Sequence, residues 1–133
     1  MTKGGLAVYR TKTFSRWMRE SGLTDQALVG SVDEMVAGLI DADFGGHVVK
    51  KRVALPGRGK RSGARTIVAT NFESRWFFLF GFEKNERSNI DRNELTALQE
   101  IAAKFLSMSS VELEKLIQVG ELTRVIHGNT AKK

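Results

Sequence analysis

The sequence predicts an α+β fold, in which helices pack on a small antiparallel sheet. Apolar residues recur every three or four positions up to Ile40 and again after Leu95, whereas they alternate or run together between Val48 and Phe82. The connections within that middle stretch are of hairpin length, so its strands should pair antiparallel. The predicted order is β-α-α-β-β-β-α-α, with an N-terminal helical hairpin and C-terminal helices. This order argues against a doubly wound parallel sheet.

One strand and two helices are predicted before the middle stretch. Residues 6–10 form a short strand and residues 13–20 a short helix, whose apolar residues share one face. The second helix should begin after the N-cap Thr24 and end at the Gly45-Gly46 pair. Its apolar stripe consists of Leu28, Val29, Val32, Met35, Val36, Leu39 and Ile40.

Three strands should follow. The first alternates about Val49 and Val53 and stops at Pro56, and residues 65–70 form the second. Residues 75–82 form the third, and they carry no polar side chain after Arg75, which is typical of a central strand covered on both faces.

Two further helices are predicted after the strands. Ser88 or Asn89 should cap the first, and Ser109 with Glu112 forms a capping box for the second, which ends at Gly120. Residues 122–126 fit either an edge strand or an extended tail. We expect a single domain over residues 1–127, with 107–127 as a C-terminal helical extension and 128–133 as a disordered tail. One core should contain Trp76, Phe78, Phe80, Val32, Met35, Leu39, Leu98, Ile101 and Phe105.

Positive charge is concentrated in residues 44–70. This window has seven basic residues and no acid, whereas the remainder holds 14 basic and 15 acidic residues. Such a concentration costs self-repulsion, so it favours an anionic partner, and nucleic acid is the leading candidate. A solvated basic hairpin without a partner is the alternative interpretation.

Several classes of function are disfavoured by composition. The chain has no cysteine, which excludes disulfides, thiol catalysis and cysteine-ligated zinc. His47 and His127 are isolated in sequence and no metal-ligand pattern accompanies them, so no metal or other cofactor is expected. The sequence has no secretory signal and no apolar run long enough to span a membrane. We therefore expect a cytoplasmic protein without a membrane partner.

Alternation along the first middle strand predicts a phosphate clamp. Lys50 and Arg52 should share one face with Arg65 of the next strand, whereas Lys51 should lie on the opposite face. Guanidinium groups match phosphate oxygens well. The loop cations Arg58, Lys60 and Arg61 suit contacts to an RNA backbone without base specificity.

Such a cationic site can cleave RNA without a metal. It aligns a 2′-OH with the adjacent phosphate and stabilises the charge that develops there. A lysine within a cluster of cations can act as the base, because neighbouring positive charge favours its neutral form.

These segments resemble RelE-type toxins. The stretch from Val48 to Ile67, the aromatic strand after it and the Lys-Asn-Glu sequence at 84–86 are most similar to the HigB-like branch of the RelE/ParE superfamily. The resemblance covers about residues 6–106. It implies a bacterial type II toxin that cuts mRNA in the ribosomal A site. The implied partners are the ribosome, the mRNA and a protein antitoxin. The antitoxin is expected to be a small DNA-binding protein.

The resemblance also implies roles for individual residues. Lys50 and Arg52 match the paired basic residues of the family, Arg65 matches the arginine that steadies the transition state, and Lys84 lies where the family places a further basic catalytic group. Arg87 is a further candidate for RNA contact. Asn85 stands where the RelE type member has arginine, and Asp91 stands near its stacking tyrosine.

Two other functions are compatible with the same fold. One is gyrase inhibition of the ParE type. It needs no phosphate clamp and is therefore disfavoured by the presence of Lys50, Arg52, Arg65 and Lys84. The other is a non-catalytic nucleic-acid-binding protein. This alternative remains because Asn85 and Asp91 stand where the RelE type member has its arginine and its stacking tyrosine.

Overall fold

A computed structural model of the chain describes residues 6–57, 59 and 63–125. Its elements are β1 (Ala7–Thr11), α1 (Lys12–Ser21), α2 (Asp25–Val36), β2 (Ala42–Gly45), β3 (Val48–Val53), β4 (Ala64–Thr70), β5 (Arg75–Glu83), α3 (Arg92–Ser107), α4 (Ser110–Gln118) and β6 (Leu122–Arg124). The predicted α+β class is confirmed, and the structure adds the strand β2, which the sequence did not predict.

The six strands form one mixed sheet in the order β2-β3-β4-β5-β1-β6. β3, β4 and β5 pair antiparallel, as predicted from their short connections. β1 lies between β5 and β6, parallel to β5 and antiparallel to β6. β5 is therefore an interior strand, and residues 122–124 form the edge strand that was one of the two expectations for that segment.

The second helix is shorter than the sequence predicts. α2 begins after the N-cap Thr24, as expected, but ends at Val36, and Gly38 turns the chain with φ +96°. Gly45 and Gly46 do not close a helix. They form the tight β2–β3 turn, where both have positive φ, because glycine reaches this conformation without a Cβ clash.

The sheet separates two cores, so the prediction of a single core is wrong. One face packs against α1 and α2 and contains Trp76 and Phe78, together with Val32 and Met35 of α2. The other face packs against α3 and α4. Phe80, Leu98 and Phe105 are partly buried there rather than deep in the core. Leu39 and Ile101 are exposed, at 57% and 39%, and Leu39 lies beyond the end of α2.

The cap of α3 also differs from the prediction. Neither Ser88 nor Asn89 is the N-cap. Asp91 is, because its carboxylate accepts a hydrogen bond from the Glu94 N–H while the Glu94 side chain accepts one from the Asp91 N–H. The capping box of Ser109 and Glu112 on α4 is present as predicted. The proposed tail, residues 128–133, lies outside the described residues.

Candidate functional site

The sheet register places the predicted cations on one face. Lys50 lies opposite Ile67, and Ile67 lies opposite Phe80. In the adjacent row, Arg52 lies opposite Arg65, which lies opposite Phe82. We call this surface, formed by Lys50, Arg52, Arg65, Phe80 and Phe82, the cationic face. Residues directly opposite on neighbouring strands share a face, so Lys50, Arg52 and Arg65 lie on one face, as their alternation in sequence predicts.

Lys50 lies at the β2 side of the cationic face. Its side chain is partly exposed, and its Nζ lies 5.9 Å from the ring centre of Phe44 in β2. The backbone of Phe44 is held in turn by α3, since Gln99 Nε2 donates to its carbonyl over 3.3 Å and to that of Gly45 over 3.1 Å. Lys50 thus presents a primary amine to solvent beside an aromatic ring whose position is fixed by two elements.

Arg52 has an acidic neighbour that the sequence argument did not consider. Its Nε lies 3.3 Å from Asp41 Oδ1, and its backbone N–H donates to Asp41 Oδ2 over 2.7 Å. Its side chain is nevertheless 48% exposed. A partly exposed ion pair of this kind contributes little to stability.

Arg65 is the deepest cation of the cationic face, at 8% exposed, and it has interactions within the folded chain. Two arginines at directly opposed positions repel each other, which is unfavourable within an ordinary sheet. The Asp41 contact to Arg52 offsets part of this repulsion, and a bound phosphate would offset more.

Lys51 faces away from these residues, as the alternation predicts. It is buried on the side of α2, where its Nζ lies 2.8 Å from Glu34 Oε1 and donates to the Leu39 carbonyl over 2.9 Å. Lys51 therefore has a structural role and does not belong to the cationic face.

Arg87 holds the segment after β5 against the sheet. Its guanidinium lies 5.6 Å from the Phe80 ring centre and 5.5 Å from that of Phe82. Both of its terminal nitrogens contact the Glu94 carboxylate, and its Nε donates to the Asn89 carbonyl over 3.0 Å. Three of its five N–H donors are used in this way, so Arg87 positions the segment, and its contact with RNA stays a prediction.

The ion pair between Arg87 and Glu94 sets the electrostatics of this segment. Hydrogen bonds from Arg87, followed by the backbone hydrogen bond from Asp91, lower the pKa of Glu94. The same contact with Glu94 raises the pKa of Arg87 further above its already high usual value. Glu94 thus serves both the ion pair and the cap of α3.

Lys84 lies in the turn that follows β5, exposed, and makes no hydrogen bond or ion pair with another residue in the described ranges. Asn85 is also exposed in this turn, and Asp91 is occupied as the cap of α3. The loop cations Arg58, Lys60 and Arg61 fall outside the described residues, as does His127. His47 lies exposed in the β2–β3 turn, and no cluster of three or more His, Asp or Glu that could hold a metal occurs in the described part of the chain.

The acids of this region were missed by the sequence argument. Asp41 lies just before the basic window and Glu94 lies beyond it, and each is brought to its arginine by tertiary packing. For Glu94 a local signal existed, since Asp91-x-x-Glu94 is a capping-box pattern. Nothing local to Asp41 indicates its contact with Arg52, because that contact requires the pairing of β2 with β3.

The sheet with its N-terminal helical hairpin, its C-terminal helices and a cationic surface on β3 and β4 agrees with the resemblance that the motifs show, although the sheet is mixed and not wholly antiparallel. The family model described as the RelE toxin of the RelE/RelB toxin–antitoxin system matches residues 6–125. The chain therefore belongs to the RelE toxin family, whose members generally inhibit translation and act as ribonucleases, and it has a cognate antitoxin as partner. The match extends beyond Leu106 to include α4 and β6.

No curated protein matches the chain. Among the described helices, none combines the length and apolarity that a membrane span requires.

Proposed function

We propose that this toxin is an endoribonuclease that cuts mRNA on the ribosome without a metal. The observation that carries the proposal is the register of β3 with β4, which sets Lys50, Arg52 and Arg65 side by side on one face of the sheet. A ribosome-bound mRNA would bring a phosphate to this face, and its alignment on the ribosome would supply the positioning that a small protein surface cannot.

The chemistry assigned to this face is transfer of the phosphate to the neighbouring 2′ oxygen. Lys50 Nζ takes the 2′-OH proton as the 2′ oxygen attacks phosphorus. Arg65 and Arg52 stabilise the negative charge that grows on the non-bridging oxygens. Lys84 gives a proton to the 5′ oxygen as its bond to phosphorus breaks. The products are a 2′,3′-cyclic phosphate and a free 5′-OH.

The two lysines are the only choices for proton transfer within this set, because arginine does not release its proton in proteins. Lys50 is assigned as base because it lies on the cationic face itself, beside Arg52. Lys84 is assigned as acid because it belongs to the segment that Arg87 fixes against Phe80 and Phe82.

The proposal is tested with purified toxin, translating ribosomes and a toeprinting assay that locates new mRNA ends. Lys50→Ala and Arg65→Ala should each lower the cleavage rate by about 10²–10³. Arg16→Ala is the matched control, since Arg16 is an exposed cation on α1, on the opposite side of the sheet. Because Arg65 is buried, its variant is first compared with the wild type by thermal unfolding.

Two results would overturn the proposal. If the wild-type protein leaves ribosome-bound mRNA uncut, the non-catalytic alternative is favoured. If Lys50→Ala and Arg65→Ala remain fully toxic in growing cells, the phosphate clamp is not the toxic site. Inhibition of DNA supercoiling by the purified protein would then identify gyrase as the target.

A further inference from the structure

A polar pocket lies at the opposite end of β5 from the cationic face. It has a volume of about 330 Å³ and is formed by the start of β5, by β1 and β6, and by α4. Its polar and charged lining residues are two arginines, a tyrosine, two serines and a glutamate, namely Arg75, Arg124, Tyr9, Ser74, Ser110 and Glu114. We call it the β1–β6 pocket.

The sheet register forms the floor of the β1–β6 pocket. Tyr9 of β1 lies between Phe77 of β5 and Arg124 of β6. In the neighbouring row, Ala7 lies opposite Arg75. Because Ala7 carries only a methyl group, the sheet leaves room above it, and residues of α4 line the same space.

Tyr9 presents a hydroxyl group that the fold does not use. Tyr9 is only 5% exposed, since its ring stacks on Phe77 with centres 4.8 Å apart and the Arg124 guanidinium lies 5.9 Å from its ring centre. The hydroxyl makes no hydrogen bond with another residue in the described ranges, and it is not sealed from solvent. A buried tyrosine usually satisfies its hydroxyl within the protein. This one is available to a ligand in the pocket.

The two arginines supply donors for an anion. Arg124 is exposed, and its guanidinium makes no hydrogen bond or ion pair within the described part of the chain. Arg75 is partly buried and donates through Nη1 to the Met108 carbonyl, which uses one of its five N–H groups. Guanidinium groups bind phosphate oxygens through charge-assisted hydrogen bonds, so the lining matches a phosphate group.

Glu114 restricts the kind of phosphate that fits. It is exposed and makes no ion pair with another described residue. A nucleic-acid backbone would bring several phosphates past this carboxylate and be repelled by it, whereas a small ligand brings only one. The volume of the pocket lies at the lower end of the range that is typical of small-molecule sites. Both features favour a small ligand over a polymer.

We propose that the β1–β6 pocket binds a small phosphate-bearing molecule, no larger than a mononucleotide. Arg75 and Arg124 hold the phosphate oxygens, and the Tyr9 hydroxyl donates a further hydrogen bond to them. The site is separate from the cationic face, because Phe82 follows Arg75 by seven residues, which is about 20 Å along the strand. The proposal therefore does not depend on the ribonuclease reaction.

An NMR titration of the isotope-labelled, full-length toxin tests the proposal residue by residue. Adenosine monophosphate should produce saturable shifts of the backbone amides of Tyr9, Ser74 and Arg124. Inorganic phosphate and adenosine are titrated in the same way. Equal Kd values for inorganic phosphate and the nucleotide would support a site for free phosphate, whereas tighter binding of the nucleotide would support a nucleotide site. Adenosine, which has no phosphate, should leave these amides unshifted.

Two variants test the assigned donors. Tyr9→Phe removes the hydroxyl and keeps the ring, and Arg124→Gln removes the guanidinium. Each should weaken binding of adenosine monophosphate at least about tenfold, as expected for loss of a hydrogen bond to a charged group. Tyr9→Phe should also unfold at the temperature of the wild type, so its loss of affinity would not reflect a damaged fold. Arg16→Gln is the matched control, because Arg16 is exposed on α1 at the other side of the sheet, and it should stay within about twofold of the wild type.

Several results would overturn the proposal. Shifts confined to the cationic face would place the phosphate there, and wild-type affinity of both Tyr9→Phe and Arg124→Gln would remove the assigned donors. Equal binding of adenosine and adenosine monophosphate would show that the phosphate is not recognised. If a short single-stranded RNA shifts the amides of the pocket and neither adenosine monophosphate nor inorganic phosphate does, the pocket belongs to nucleic acid. Failure of the toeprinting assay leaves these titrations unaffected, so the two proposals fail separately.

Discussion

Neighbouring lysines on β3 occupy opposite environments. Lys50 is partly exposed on the cationic face, whereas Lys51 is buried against Glu34 and the carbonyl of Leu39. The two lysines are adjacent in sequence but lie on opposite faces of the sheet. They therefore allow the proposed chemical role of Lys50 to be compared with the structural role of Lys51.

Methionine substitution should distinguish the two lysines. Lys51→Met replaces the buried amine by an apolar side chain of similar length, and because Glu34 is partly exposed and can be solvated, we expect cleavage activity within about threefold of the wild type. Lys50→Met should lose about 10²-fold or more, as expected for loss of a group that acts in the transition state. The measurement is the toeprinting rate at matched concentrations of folded protein. Similar losses in both variants would contradict the assignment of Lys50 as the base, because Lys51 lies on the opposite face of the sheet.

Glu94 should make the stability of the toxin depend on acidic pH. Because its pKa is lowered in the folded protein, its contribution is fully present above its usual unfolded pKa and is lost as the pH falls through the lower folded value. Glu94→Gln keeps an acceptor for the Asp91 N–H but removes the charge opposite Arg87.

The comparison is a series of denaturant unfolding curves from neutral to acidic pH. The variant should be less stable than the wild type near neutrality, and the two free energies of unfolding should converge as the pH falls. A difference that stays constant over that range would mean that the ion pair with Arg87 does not stabilise the fold.

At the scale of elements, β5 connects the two cores. Its first side chains alternate, so that Trp76 and Phe78 enter the core under α1 and α2, whereas Phe77 enters the core under α3 and α4. A register irregularity after Phe78 then places Phe80 on the side of α3 and α4. Phe77 stacks on Phe105 with ring centres 5.0 Å apart, and Phe78 contacts Phe14 with ring centres 5.4 Å apart. Aromatic side chains of β5 therefore pack against helices on both faces of the sheet, α1 on one face and α3 on the other.

Phe78→Ala should destabilise the protein by about 3–5 kcal/mol, because Phe78 is fully buried and α1 cannot move in to fill the cavity without displacing its other contacts. The free energy of unfolding from denaturant titration provides the measurement. Phe72→Ala is a suitable control, since that ring is 45% exposed at the β4–β5 turn. A loss below about 1 kcal/mol for Phe78→Ala would contradict the role given to β5.

Local sequence patterns predicted the strands whose own residues alternate or are continuously apolar. The alternation of Val49 and Val53 assigned Lys50 and Lys51 to the correct faces, and the apolar run of β5 identified an interior strand. β2 was missed because Leu39 and Ile40 continue the helical period of α2, while Gly45-Gly46 fits a helix end as well as a hairpin turn.

The candidate site was predictable only in part, for a related reason. Lys50, Arg52 and Arg65 come together through adjacent strands of one hairpin, which sequence spacing determines. The partners of Arg52 and Arg87 depend on β2 and α3, so no pattern near either arginine could identify them.

At the scale of the whole molecule, the surplus of positive charge should make antitoxin binding depend on salt. Salt screens the attraction between the cationic face and an acidic partner. The affinity should therefore fall as the salt concentration rises from about 0.05 M to 0.5 M. Calorimetric titrations with the cognate antitoxin at several salt concentrations provide the measurement. An affinity that does not change with ionic strength would place the antitoxin elsewhere on the surface.

The position of β1 in the sheet has a consequence for the synthesis of the toxin. β1 is the first strand of the chain, yet its neighbours are β5, which begins at Arg75, and β6, which begins at Leu122. A nascent chain that has reached residue 74 therefore contains β1 without either partner. Contacts between distant parts of a sequence form slowly, so the sheet closes late in translation. Until β6 has emerged from the ribosome the toxin is incomplete, and this delay gives an antitoxin already present in the cell time to meet the chain before it can act.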